Sequence, residues 1–173
     1  MKFLSVLATI CLLFFTSILI LGVVSGSESE VNASISIEAP QVVILKELID
    51  FGNYYKWCPN ITKSEFDPDT QIRNSRYLMD GHSVQVNERV QFILSENMIL
   101  FTERNDKPRG YMRNIIHEIR LNENSDGTTE IRWTMHYNIQ PILSKILNIF
   151  AVRPALEKML NENLEALKKK FDQ

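Results

Sequence analysis

Ile142-Leu-Ser-Lys-Ile-Leu-Asn-Ile-Phe-Ala-Val-Arg-Pro-Ala-Leu-Glu-Lys-Met-Leu-Asn-Glu-Asn-Leu-Glu-Ala-Leu-Lys-Lys-Lys-Phe171 is the stretch on which the rest of the chain depends. Leu143, Ile146, Phe150, Leu156, Leu160, Leu164, Leu167 and Phe171 recur at helical spacing, so the segment reads as one long amphipathic helix. Lys168, Lys169 and Lys170 suit the negative end of its dipole. Pro154 removes one backbone hydrogen bond and is expected to kink it. About 30 residues at 1.5 Å each give roughly 45 Å of helix. An apolar stripe of that length needs a long partner surface.

The preceding residues supply a sheet. Ala33 to Glu38 alternates as a strand, Ala39-Pro40 ends it, and Gln41 to Phe51 reads as a helix with Val42, Leu45, Leu48 and Ile49 on one side. Gly52 and Asn53 stop that helix before an aromatic run, Tyr54, Tyr55 and Trp57. Strands are expected at 61–66, 71–79, 83–94, 98–105, 110–122 and 129–139. Turn-forming residues separate them: Asp67-Pro68-Asp69, Asp80-Gly81, Glu96-Asn97, Asp106-Lys107-Pro108 and Asn124-Ser125-Asp126-Gly127. Connections this short imply an antiparallel meander. The fold class is therefore α+β, with a sheet covered on one face by helix.

Ser34-Ile-Ser-Ile-Glu-Ala-Pro40, Ile49-Asp-Phe-Gly-Asn-Tyr-Tyr-Lys-Trp-Cys-Pro59, Asp80-Gly-His-Ser-Val-Gln-Val-Asn-Glu88 and Asp126-Gly-Thr-Thr-Glu-Ile-Arg-Trp133 form, with the terminal helix, a recognisable set. Across residues 33–171 the chain resembles the START-related SRPBCC superfamily, in particular its polyketide cyclase/dehydrase and lipid-transport group. The resemblance implies a helix-grip fold, a curved seven-stranded antiparallel sheet around the C-terminal helix, and an apolar molecule held between them. Some members are cyclases or dehydratases. The family has no universal catalytic motif, so the resemblance assigns no catalytic residue.

An apolar hollow attracts a hydrophobic guest, at about 25 cal/mol for each Å² removed from water. The inner faces of the strands nominate its walls. Phe92 shares a face with Val84, Val86 and Val90; Ile119 shares one with Ile115 and Leu121; Trp133, Met135 and Tyr137 alternate with Ile131 and Ile139. Three polar residues interrupt these faces: Glu88 between Val86 and Val90, His117 between Ile115 and Ile119, and Arg113 two positions before Ile115. They are candidates for gripping a ligand's polar head or for acid–base chemistry between Glu88 and His117, or else they lie at the open end of the sheet or form an internal charge pair that satisfies itself. A one-residue slip in register would turn all three outward. Trp133, Met135 and Tyr137 read first as core packing, with cavity wall as the alternative. Trp57 and Tyr54 are expected to pin the first helix, and Cys58 to fill space.

Residues 3–24 are apolar behind a single Lys2, followed by Ser25-Gly26-Ser27-Glu28-Ser29-Glu30. About 22 residues approach a bilayer's thickness, which suggests a membrane anchor, while Val24-Ser25-Gly26 also suits signal cleavage. The expected organisation is an anchor or signal peptide at 1–26, a polar tether at 27–32 and the helix-grip domain at 33–173. Lys2 places the domain outside the cytoplasmic membrane, or secreted or periplasmic after cleavage. Ile142 to Val152 is apolar on more than one face, which suggests either a helix end buried on both sides or a lip that meets lipid.

The net charge of −2 and the absence of basic runs among aromatics speak against a nucleic-acid partner. Cys11 and Cys58 offer no zinc spacing, and no phosphate loop or nucleophile–base pair is present. No cofactor is expected. Binding or transport of a hydrophobic small molecule or lipid is the leading reading. A cyclase or dehydratase acting on a polyketide-like or isoprenoid substrate is the alternative, and an interaction module with a filled cavity is a third.

Overall fold

The computed structural model describes residues 13, 16–17, 27–79, 81–104, 112–140 and 142–172. Apart from Leu13, Thr16 and Ser17, the apolar segment 3–24 lies outside these, as does the turn at Asp106-Lys107-Pro108. Among the described residues, no helix is long and apolar enough to cross a membrane.

Strand β1 (Glu28–Ile37) leads to helix α1 (Gln41–Leu48) and a 3-10 turn (Phe51–Lys56). Then come β2 (Ile61–Asp67), β3 (Ile72–Met79), β4 (His82–Ile93), β5 (Met98–Glu103), β6 (Met112–Glu123) and β7 (Thr129–Ile139). Helix α2 (Ile142–Leu147), a π-helical turn (Asn148–Val152) and helix α3 (Arg153–Phe171) follow. The seven strands form one antiparallel sheet in the order β1-β7-β6-β5-β4-β3-β2. The meander runs from β2 to β7, and β1 closes the far edge against β7.

Two expectations about boundaries change. The stretch 27–32, expected as a tether, is mostly strand: Glu28 pairs with Asn138 and Val31 with Met135. Polar Glu28, Ser29 and Glu30 hide the alternation that continues through buried Val31 and Ala33. The first helix ends at Leu48 rather than Phe51. The chain turns there because Phe51 and Tyr54 bury together, their rings 6.1 Å apart, and the Tyr54 hydroxyl donates to the Leu48 carbonyl.

Leu156, Leu160, Leu164 and Leu167 of α3 are buried against the sheet. At about 1.5–3 kcal/mol for each buried Leu side chain, this stripe is a main contributor to stability. Asn60 reaches Asn163 of α3 through a 3.0 Å amide hydrogen bond, and Lys170 pairs with Glu47 of α1. Pro154 falls in the first turn of α3, where proline is tolerated. The terminal segment absorbs the proline through the wider turn just before it. That turn also resets the helical phase. Phe150, expected on the buried stripe, is 71% exposed, while Ser144 and Asn148 are buried instead.

Candidate functional site

Between the sheet and α3 lies a cavity of about 310 Å³, near the lower end of the usual range for ligand sites. Its apolar wall comes from Val84 and Val86 of β4, Met112 and Ile115 of β6, Met135 of β7, and Leu156 and Met159 of α3. Tyr77, Glu88, Glu103 and His117 supply its polar groups. It sits at the end of the sheet where β7 finishes and α2 begins, since Glu88 pairs with Glu103 and Met112 with Ile139.

The centre of the polar cluster is an ion pair. Arg73 and Glu88 face each other across β3 and β4, and both are 1% exposed. Arg73 donates from Nε (2.9 Å) and Nη2 (2.7 Å) to Glu88 Oε2. Nη2 also donates to the Tyr77 hydroxyl at 3.1 Å. The guanidinium carbon lies 4.2 Å from the Phe101 ring centre and 4.6 Å from that of Tyr54. Nη1 has no hydrogen-bond partner, and these ring faces are its compensation. Burial works against the charge of Arg73, but Glu88, Tyr77 and Tyr54 outweigh it and hold the guanidinium above its ordinary pKa. Burial raises both tyrosines, Glu88 reinforcing the effect at Tyr77, so each phenol keeps its proton.

His117 stands on the neighbouring wall. Trp133 donates its indole N–H to His117 Nδ1 at 3.2 Å, which places the ring proton on Nε2. Burial lowers the imidazole to about 4, with Arg73 adding to the shift and Glu88 opposing it. At neutral pH this side chain is an uncharged hydrogen-bond donor.

The sequence-derived candidates divide into three groups. Glu88, His117 and Met135 line the cavity. Ile119, Trp133 and Tyr137 are buried without lining it: Trp133 serves His117, and the Tyr137 hydroxyl donates to Asn148 Oδ1 at 2.9 Å. Phe92 and Arg113 need correction. Phe92 has the inward parity of its strand but sits at the strand's end, where it is 40% exposed. Arg113 lies outward because a bulge between Arg113 and Ile116, with Asn114 at φ 52°, inverts the alternation. Met112 takes the inward position instead.

Of the polar residues, Tyr77 and Glu103 on the wall and Arg73 behind it were missed, although a signal for Arg73 exists. In the sequence Asp-Gly is a two-residue hairpin signal that sets Met79 opposite His82, and counting back along that register places Arg73 opposite Glu88, the pairing the sheet has. Cys58 is buried, its thiol pushed up to about 12 mainly by that burial, as suits a space-filling role. Among the described residues no group of His, Cys, Asp and Glu could hold a metal ion.

Residues 28–172 match the model of the family described as polyketide cyclase / dehydrase and lipid transport. A START superfamily protein from Mycobacterium smegmatis superposes with a TM-score of 0.66 at 16% identity, covering 83% of this chain and 97% of that one. The Zhui aromatase/cyclase from Streptomyces sp. R1128 gives 0.61 at 14% identity, with 83% and 96% covered. Ginseng major latex-like protein 151 from Panax ginseng gives 0.66 at 11% identity, with 84% and 99% covered. These similarities show a START-related fold. No curated protein matches the sequence.

Proposed function

The chain belongs to the polyketide cyclase / dehydrase and lipid transport family, and from that premise we propose that it binds and carries a hydrophobic small molecule in the cavity between sheet and terminal helix. The observation that supports this most is the cavity itself, with an apolar wall and a few convergent polar groups at one end. Those groups favour a neutral molecule bearing a hydroxyl. The Arg73 charge is consumed by Glu88, and Arg73 does not line the cavity. Glu88, its charge matched by Arg73, and Glu103 lie on the wall, where a carboxylate oxygen accepts a hydrogen bond, and no Lys or Arg among the described lining residues is there to hold an anion. His117 offers its Nε2 proton to the same hydroxyl oxygen.

Native mass spectrometry of the purified full chain, with extraction of co-purifying lipid, tests the carrier reading directly. A stoichiometric neutral hydrophobic guest is expected. Displacement of the neutral dye Nile red then tests the headgroup, with 4-octylphenol expected to compete better than 4-octylbenzoate. A chain that carries no guest and takes up no Nile red overturns the proposal.

A second reading has one observation in its favour, because Glu88 and His117 share the cavity wall. This is acid–base catalysis of a cyclisation or dehydration. An imidazole held near 4 is a weak base at neutral pH, which favours a binding role instead. Turnover lost on Glu88→Gln or His117→Ala, with guest binding kept, would reverse that preference.

A further inference from the structure

Ahead of Pro154 the terminal segment turns a polar face inward and an apolar face outward, the reverse of α3. Ser144 and Asn148 are buried, and Asn148 bonds both Tyr137 and, through its amide, Ser29 Oγ at 3.0 Å. Leu147 is 55% exposed and Phe150 71%, with Ile149 between them also exposed. Scattered surface leucines need no explanation, but three large apolar side chains within one turn, backed by a polar underside, form a patch.

Two further observations say what covers it. The patch adjoins an outer groove of about 490 Å³ that includes Ala151, Val152 and Ala155, and Met112, Leu156 and Met159 line both this groove and the inner cavity. Phe150 thus directly precedes Ala151 of a groove that shares three wall residues with the cavity. The chain also joins the fold beside the patch: the Ile139 amide donates to the Ser27 carbonyl at 2.7 Å, and Ser29 holds Asn148. Ser27 thus fixes the chain at this corner, and in sequence it follows residues 3–24, which are apolar apart from small and hydroxyl side chains. A bilayer accommodates both an apolar sequence such as 3–24 and an exposed apolar patch.

We propose that Leu147, Ile149 and Phe150 insert into the interfacial layer of a lipid bilayer and hold the cavity's mouth against it, so that a guest moves between membrane and protein without crossing water. The transfer step rests on the carrier reading; the docking rests on the patch.

The full chain carrying Phe150→Trp, reconstituted in phosphatidylcholine–phosphatidylglycerol vesicles with brominated acyl chains, tests it. The comparator is Leu94→Trp, a similarly exposed position at the opposite end of the sheet, beside Ile93 and Met98. Emission of the parent, whose Trp57 and Trp133 are buried, is subtracted. The expected result is a blue shift and loss of emission for Trp at 150, with water-like emission at 94. Water-like, unquenched emission at 150 overturns the proposal. So does a blue shift without quenching, which would mean that protein covers the patch, from residues 3–24 or a second copy. Nile red uptake in lipid-free solution is scored separately: uptake without quenching removes the docking and leaves the carrier, and quenching without uptake does the opposite.

Discussion

Replacing Arg73 with Met should destabilise the protein by about 3–5 kcal/mol, the usual consequence of stranding one member of a buried pair. Two charge-assisted hydrogen bonds to Glu88, one to Tyr77 and the contacts with Phe101 and Tyr54 disappear together. What remains is a carboxylate 1% exposed with its cation gone. Met refills the space between the rings, so the loss reports charge rather than volume. Urea denaturation followed by circular dichroism is the assay, with an unchanged slope and a lower midpoint expected. The double variant Arg73→Met, Glu88→Leu should recover most of the loss, because an apolar pair no longer needs solvation. A single-variant cost below about 1 kcal/mol, the range of exposed pairs, would refute the claim that this pair is desolvated. A double variant no better than the single would refute the charge explanation.

His117 gives a pH signature. Its folded value of about 4 lies below the ordinary 6.5, so between those values the unfolded chain binds the extra proton and stability falls as the pH drops, by about 3 kcal/mol in all. His117→Gln should flatten that part of the stability profile, and an unchanged slope would locate the titration elsewhere. Met135→Trp should fill the cavity and abolish Nile red uptake while leaving the thermal midpoint within a few degrees. Asn114→Val should cost about 1–2 kcal/mol by urea titration, because a β-branched residue resists the left-handed backbone of the bulge, whereas Asn114→Gly should be close to neutral.

The meander was legible because period-two alternation and turn chemistry agree at nearly every junction. Strand β7 was expected at 129–139 and occupies those residues. The candidate site was less legible, for local reasons. One left-handed residue, Asn114, turned Arg113 outward and Met112 inward, and nothing in Met-Arg-Asn-Ile-Ile announces a bulge. In β3 the buried face is Arg73, Ser75 and Tyr77, so its inner side looks like an outer one until Glu88 is set opposite. The apolar excess of 142–152 was visible, but its direction was not. Hydrogen bonds from Tyr137 and to Ser29 draw Asn148 inward and leave Phe150 outside, and those partners are remote in sequence.

The edge pairing of β1 has a consequence for biosynthesis. Glu28 meets Asn138 and Ile37 meets Thr129, so the first strand to leave the ribosome is matched with the last. Roughly a hundred residues must be added in between, which at about 5–20 residues per second takes on the order of 5–20 seconds. Throughout that interval Val31, Ala33 and Ile37 have no native neighbour across the ladder. The nascent chain is most open to aggregation, and to chaperone capture, just before β7 emerges.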